Sequence, residues 1–283
     1  YNAALAYANE HSMTLVHPFN DLHVMAGQGT VAYEMLEDFK EDIHFVFAPI
    51  GGGGLCSGIG TYLKDLRPNT KIVGAEPSGA PAMYKSVKHA KVLSLDNIDV
   101  FVDGAAVKSV GELTFQVCNR VLDDIVLVEE GEICSTILDL YNEEAIVAEP
   151  AGVLSIAALD QYQKEIQGKN VICILSGGNN DITRMEEIKE RSLIHKGLKC
   201  YFIIRFPQRA GALRDFLNNV LSENEDIAHF EYTKKNNRER GPALVGLELQ
   251  NRTDYHALLK RMDAYGINYE TLNENQELFE LLV

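Results

Sequence analysis

No apolar run in the 283 residues is long enough to span a bilayer, so no membrane-spanning helix is expected within them. Positive charge is scarce. The net charge of −15 argues against a nucleic-acid or anionic-membrane surface. The cysteines Cys56, Cys118, Cys134, Cys173 and Cys200 are odd in number and form no Cys-x-x-Cys pair. Buried free thiols in a reducing, cytoplasmic setting are therefore expected, rather than disulfides or a metal site. The histidines, His17 and His23 included, lack zinc-site spacing. The first residues show neither the basic stretch nor the apolar core of a targeting peptide, and Tyr1 already reads as helix, so the chain is expected to start in mid-domain. No internal repeat or low-complexity tract occurs, and 46% hydrophobic residues supply core for about two domains.

What is present centres on residues 43–60, IHFVFAPIGGGGLCSGIG. Ile43, Phe45, Val46, Phe47 and Ile50 read as a strand buried on both faces, and Leu55, Ile59, Tyr62, Leu63 and Leu66 recur at helical spacing up to Pro68. Gly51, Gly52, Gly53 and Gly54 are then the turn into a helix N-terminus, where successive amides face one concavity and a phosphate is the natural occupant. Two familiar phosphate loops fail here. A dinucleotide fingerprint from Gly52 meets Ser57 where its third glycine belongs, although Glu76 lies near the place of a ribose-binding acid. A nucleotide P-loop from Gly53 meets Ile59 in place of lysine. The competing reading, a glycine turn with no ligand, leaves the entropic cost of four glycines without a reason.

Along the chain, residues 3–8 read as helix, 14–16 as a short strand and 18–29 as a polar turn, followed by a helical stripe through Val31, Met35, Leu36 and Phe39. Strands at 71–75, 125–128 and 170–175 alternate with helices at 81–89, 113–122 and 134–146. Another helix is expected to open at 149–152 with Pro150 in its first turn, and one more from Asp181. This order predicts an α/β fold, an open, mostly parallel sheet with helices on both faces, and ligands at the carboxyl ends of its strands. Both glycine loops, 51–54 and Gly177-Gly178, fall there. The pattern changes across the charged stretch 191–199, giving a first domain over 1–192, a linker over 193–198 and a second domain over 199–283. Strands at 200–206, 227–232, 243–249 and 267–272 with helices at 209–221 and 255–265 make that second unit βαββαβ, an α+β ferredoxin-like arrangement. The charged string NNRERG at 236–241 is its hairpin tip.

PIGGGGL at 49–55, EPAG at 149–152 and LSGGN at 175–179 resemble the pyridoxal-phosphate enzymes of fold type II, the tryptophan-synthase β type. AGQGT at 26–30, GAEP at 74–77, DGAAVKSVGELTF at 103–115 and FPQRAGALRDFL at 206–217 resemble more particularly the biosynthetic threonine dehydratases. The resemblance covers essentially the whole chain. It implies a pyridoxal-phosphate lyase that converts L-threonine, with L-serine as a secondary substrate, to 2-oxobutanoate and ammonia by β-elimination, the first step of isoleucine biosynthesis. It also implies an ACT-like regulatory domain at the C-terminal end, feedback by isoleucine, and a cytoplasmic homotetramer.

Carried over residue by residue, the resemblance assigns the cofactor phosphate to the backbone of Gly51, Gly52, Gly53, Gly54 and Leu55, a backbone approach to Gly104, and the pyridine nitrogen to Ser176. A hydroxyl suits a neutral ring nitrogen and leaves the ring a weaker electron sink, which fits β-elimination. Plain alternatives stand beside these roles: a helix cap for Ser176, a turn for Gly104, and for Glu149 either a place near the substrate or a helix-dipole partner. The family's Schiff-base lysine, in a Ser-x-Lys-x-Arg-Gly string, and its ring-contacting asparagine have no counterpart; Lys88 lacks the pattern and reads as helix surface. No catalytic residue is therefore assigned. The chain reads as a dehydratase without its N-terminal segment, an incomplete type II fold expected to be inactive alone.

Related racemases place a cation beside the GAEP string, where Glu76 and the Ala80 carbonyl would contribute. Ala82 stands where a second carboxylate is needed, so no metal is expected. In the small domain, 207–212 is the turn where ACT-like units bind amino acids, with Phe230 and Tyr232 as either pocket lining or sheet core. Two other classes compete: a noncatalytic amino-acid sensor with a vestigial cofactor fold, and a dinucleotide oxidoreductase built on Gly52 and Glu76, which Ser57 opposes.

Overall fold

The structure, a computed structural model, describes residues 2–232, 239–273, 275, 278, 279 and 282. It packs as two units, Tyr1–Arg184 and Met185–Val283. The first contains α1 (Asn2–Glu10), α2 (Leu22–Asp38), β1 (Phe45–Pro49), α3 (Gly54–Leu66), β2 (Lys71–Pro77), α4 (Ala82–Lys88), α5 (Glu112–Val121), β3 (Asp124–Val128), α6 (Glu130–Glu144), the short α7 (Leu154–Ala157) and β4 (Val171–Cys173). The strands form one parallel sheet in the order β3-β2-β1-β4. Every residue of β1 is buried, as its unbroken apolar run requires. Val46 and Ala48 join the core with Ile59 and Leu63 of α3 and Cys118 of α5. Phe45 and Phe47 instead meet the Tyr162 ring, so both faces of the sheet are covered.

Strand order has a direct consequence for function. From β1 the chain runs outward through β2 and β3, then returns to place β4 on the other side of β1. The gap beyond the carboxyl ends of β1 and β4 is a topological switch point, where open α/β sheets hold their ligands.

Three local expectations change. Residues 14–16 form no strand, since Val16 is largely exposed and no neighbouring strand offers a ladder. Most of the turn expected over 18–29 is helix. Asp21 caps α2 by accepting from the amides of His23 and Val24, and two glycines of AGQGT lie inside the helix. Gly29 is there for close packing, because a methyl group on it would sit 3.3 Å from the Gly58 carbonyl oxygen of α3. At 149–152 there are turns rather than a helix start, because Glu149 is tied to the next loop: its amide donates to Gly177 O at 3.1 Å, and its carboxylate accepts from the Asn179 amide at 3.0 Å.

The second unit comprises α8 (Met185–His195), β5 (Lys199–Pro207), α9 (Ala212–Asn219), β6 (Glu225–Tyr232), β7 (Arg240–Leu249), α10 (Arg252–Ala264) and β8 (Tyr269–Thr271). Its antiparallel sheet has the order β6-β7-β5-β8, the ferredoxin-like arrangement. Phe202, Ile204 and Phe206 of β5 pack with Phe216 of α9 and Leu258 and Met262 of α10. The unit begins earlier than the boundary read from the charged stretch at 191–199. That stretch contains the end of α8, whose Glu190 is bonded to Lys199 and Tyr201 at the start of β5. Of the hairpin tip 236–241, residues 236–238 lie outside the described residues.

Candidate functional site

Four loops meet at the switch point. Residues 50–53 leave β1 and enter α3, with Gly53 at φ 90°, a left-handed conformation that only glycine adopts without strain. Gly52, Gly53 and Gly54 are buried, yet among the described residues nothing accepts hydrogen bonds from their amides or from that of Leu55. Buried amides are almost always paired, so four adjacent unpaired donors at a helix N-terminus mark a place for an anion. The second loop closes over the first: a methyl group on Gly51 would lie 3.0 Å from Ala105 Cα, so the backbones at 51 and 105 are in contact. Gly104, beside it, faces the third loop, 2.9 Å from Ala151 Cβ and 3.4 Å from a Glu149 oxygen by the same measure. The fourth loop leaves β4 at Ser176, which is exposed, and its Gly177 packs against the Glu149 carboxylate. Gly51 to Leu55, Gly104 and Ser176 thus stand on one rim. Glu149 is a strut between loops rather than a free acid.

Sequence reasoning missed the supports of the glycine loop. The Thr114 hydroxyl donates to Gly52 O at 2.6 Å and the Cys118 thiol to Gly53 O at 3.5 Å, both from buried positions on α5. Burial pushes the Cys118 thiol up to about 12, so it stays protonated and acts as a donor. From the segment before α2, the Phe19 ring blocks any side chain at Gly52, and Asn20 Oδ1 accepts from the Leu113 amide at the start of α5. HPFN at 17–20 has no periodicity to reveal this; the only signal is an apolar Phe19 in a polar turn.

The Glu76 carboxyl is turned to the start of α4. Its oxygens accept from the amides of Met83 at 2.7 Å and Tyr84 at 2.8 Å, so the carboxyl caps α4. Burial pushes it up to about 8, against the opposing pull of the Tyr84, Met83 and Ala82 amides. Among the described residues no three His, Cys, Asp or Glu side chains cluster as metal ligands. No described helix is long and apolar enough to cross a membrane. In the second unit, the turn between β5 and α9 borders a cavity of about 420 Å³ lined by Arg209, Leu213, Leu217, Phe230 and Tyr232, and both aromatics also lie near the Phe206 ring.

A parallel sheet with a glycine loop of unpaired amides at its switch point and a second glycine loop at the end of the neighbouring strand is the framework of the type II pyridoxal-phosphate enzymes. The chain belongs to this family: residues 1–177 match the pyridoxal-phosphate dependent enzymes, and residues 190–282 match the C-terminal regulatory domain of threonine dehydratase. It is 56% identical over its whole length to the biosynthetic L-threonine dehydratase IlvA of Halalkalibacterium halodurans and 57% identical to that of Bacillus subtilis. It spans 68% and 67% of those proteins. Among solved structures, the processed form of threonine deaminase isoform 2 from Solanum lycopersicum matches with a TM-score of 0.64 at 38% identity, over 66% of this chain and 55% of that one. A serine racemase from Dictyostelium discoideum matches with a TM-score of 0.58 at 33% identity, over 64% of this chain and 58% of its own.

Proposed function

We propose that the first unit holds pyridoxal 5′-phosphate by its phosphate at the amides of Gly51, Gly52, Gly53, Gly54 and Leu55, as part of a threonine dehydratase. The observation that carries this is the set of unpaired amides from Gly52 to Leu55 at the switch point. The residues fit the group, since the donors are adjacent and uncompensated, those of Gly52, Gly53 and Gly54 on buried residues, as suits a dianion. When bound, the cofactor supplies the electron sink for loss of a proton at Cα and departure of the β-hydroxyl. Gly104 and Ala105 bound the cofactor side of the rim through backbone. The Ser176 hydroxyl would hydrogen-bond the cofactor's ring nitrogen, which suits the nitrogen in its neutral form. The substrate is L-threonine, with L-serine secondary, and the products are 2-oxobutanoate and ammonia. The second unit binds isoleucine as a feedback effector beside the turn at 207–212, and the assembled cytoplasmic enzyme is a homotetramer. With no Ser-x-Lys-x-Arg-Gly string, this chain binds the cofactor noncovalently and does not turn over threonine alone.

The test is to titrate the protein with pyridoxal phosphate and follow visible absorption before and after borohydride. A longer form that includes the remaining third of the relatives' length is treated alongside, and both receive threonine. Cofactor fixed by borohydride and 2-oxobutanoate produced only in the longer form are expected. 2-Oxobutanoate from the 283-residue chain alone would make one of its own lysines catalytic and overturn the assignment. Isoleucine binding with no cofactor binding in either form would return the noncatalytic sensor reading.

A further inference from the structure

The glycine loop is the most flexible kind of backbone, yet phosphate recognition needs its peptide planes fixed. We propose that Thr114 is the positioning residue that aims the phosphate-binding amides, with Cys118 in a supporting role; this rests on the phosphate reading above. In a trans peptide plane the carbonyl and the following N–H point in opposite directions. Thr114 Oγ1 holds Gly52 O at 2.6 Å, so the Gly53 N–H in the same plane is turned away from α5. Cys118 Sγ and the Ser57 amide hold Gly53 O, at 3.5 Å and 3.0 Å, which turns the Gly54 N–H the same way. α5 therefore grips the acceptor side of two successive planes and leaves their donor side facing outward.

The grip is stiff. Thr114 is fully buried, and as a β-branched residue in a helix it has few rotamers. Its hydroxyl oxygen also accepts from the Gly111 amide at 3.1 Å, and it is closer to Gly52 O than to Gly111 O, 2.6 Å against 3.1 Å, so Gly52 O is the better acceptor for its one proton. Gly53 also has no room for a side chain: a methyl group there would lie 2.5 Å from Met83 Cε, 3.1 Å from Thr114 Cβ and 3.3 Å from Cys118 Sγ, the last two in the space through which α5 reaches the loop.

The experiment measures equilibrium binding of pyridoxamine 5′-phosphate, which needs no lysine, and of inorganic phosphate to the parent protein, T114V, T114S and C118A. T114V keeps the shape and removes the hydroxyl, and is expected to weaken both ligands about tenfold. T114S is expected to restore affinity to within about twofold, and C118A to lose about two- to threefold, since a thiol is a weak donor. Affinity of T114V within twofold of the parent would overturn the proposal, as would a loss in T114S equal to that in T114V, which would make the role one of packing. A measurement on the parent keeps the test independent of whether T114V folds. On adding phosphate to ¹⁵N-labelled protein, the amide signals of Gly53 and Gly54 are expected to move; unmoved signals with phosphate bound would overturn the aiming role. A parent protein that binds neither ligand would instead refute the phosphate reading itself.

Discussion

The packing of α2 on α3 sets the line of the helix whose N-terminus follows the glycine loop, and one substitution made at two glycines tests it with opposite expected signs. A methyl group on Gly58 of α3 would lie 2.3 Å from Met25 O, 2.6 Å from Gly29 N and 2.8 Å from Gln28 C, all backbone atoms of α2. Ordinary carbon–oxygen contact is near ~3.3 Å, so the helices must part by about 1 Å, and no side chain can move aside to prevent it. Overpacking of this kind costs about 1–3 kcal/mol or more, offset by the roughly 1 kcal/mol that alanine gains over glycine in a helix. Because every clashing atom is backbone, the upper end of that range applies, and Gly58→Ala is expected to destabilise the first unit by about 2 kcal/mol and lower its melting midpoint by roughly 4–8 °C. Gly27 lies in α2 with nothing within 4 Å of an added methyl group, so Gly27→Ala meets only the propensity effect and is expected to stabilise by about 0.5–1 kcal/mol. Urea titration followed by circular dichroism measures both. A neutral or stabilising Gly58→Ala would refute the close helix crossing.

Gly53→Ala places a side chain at φ 90° and 2.5 Å from Met83 Cε, and is expected to weaken pyridoxamine phosphate binding more than about tenfold; fluorescence titration measures it. Glu76, raised by burial from 4.5 to about 8, keeps its proton in the folded protein where the unfolded chain releases it. Its contribution to stability is full below about pH 4.5 and is lost as pH rises toward about 8, at up to about 1.4 kcal/mol per unit. Glu76→Gln is expected to remove that slope; a difference between parent and variant that stays constant from about pH 5 to 8 in urea titrations counts against this. In the second unit, Arg261 bonds both Val220 O and the carboxylate of Glu225, whose side chain is 1% exposed. Arg261→Ala leaves that buried carboxylate with only the Ser222 amide and hydroxyl as donors and is expected to cost about 3 kcal/mol; a change below about 1 kcal/mol by thermal unfolding would show the pair to be dispensable.

Residues whose roles depend on near neighbours were legible in the sequence. The β1 run, the four glycines and the α3 stripe are contiguous, and their order alone places a turn at a helix N-terminus. The βαββαβ order of the second unit likewise follows from period and spacing, and its strands pair as that order requires. Local signals misled where a residue had two possible reasons to be there. Gly27 and Gly29 carry a turn signal by residue type, and only the facing Gly58 shows that Gly29 serves a helix crossing. Pro150 signals a helix start, but two bonds from Glu149 to the loop at 177–179 hold the chain in turns there, and long-range fastening overrides a local preference.

The supports of the cradle were illegible for a related reason. Thr114 lies 62 residues from the carbonyl it holds, and Asn20 lies 93 residues from the amide it caps. In sequence, Thr114 is a hydroxyl residue in the first turn of an amphipathic helix, where its neighbours give it only the task of capping that helix at Gly111. The fold gives it another by placing α5 against α3, so that the residue facing the loop is the one able to donate a hydrogen bond from a buried position. Glycine supplies a loop that adopts the needed conformation and cannot hold it; a hydroxyl fixed by its own helix supplies what the loop lacks. The two halves of the cradle come from different parts of the chain, and only the half written in glycine shows in the letters.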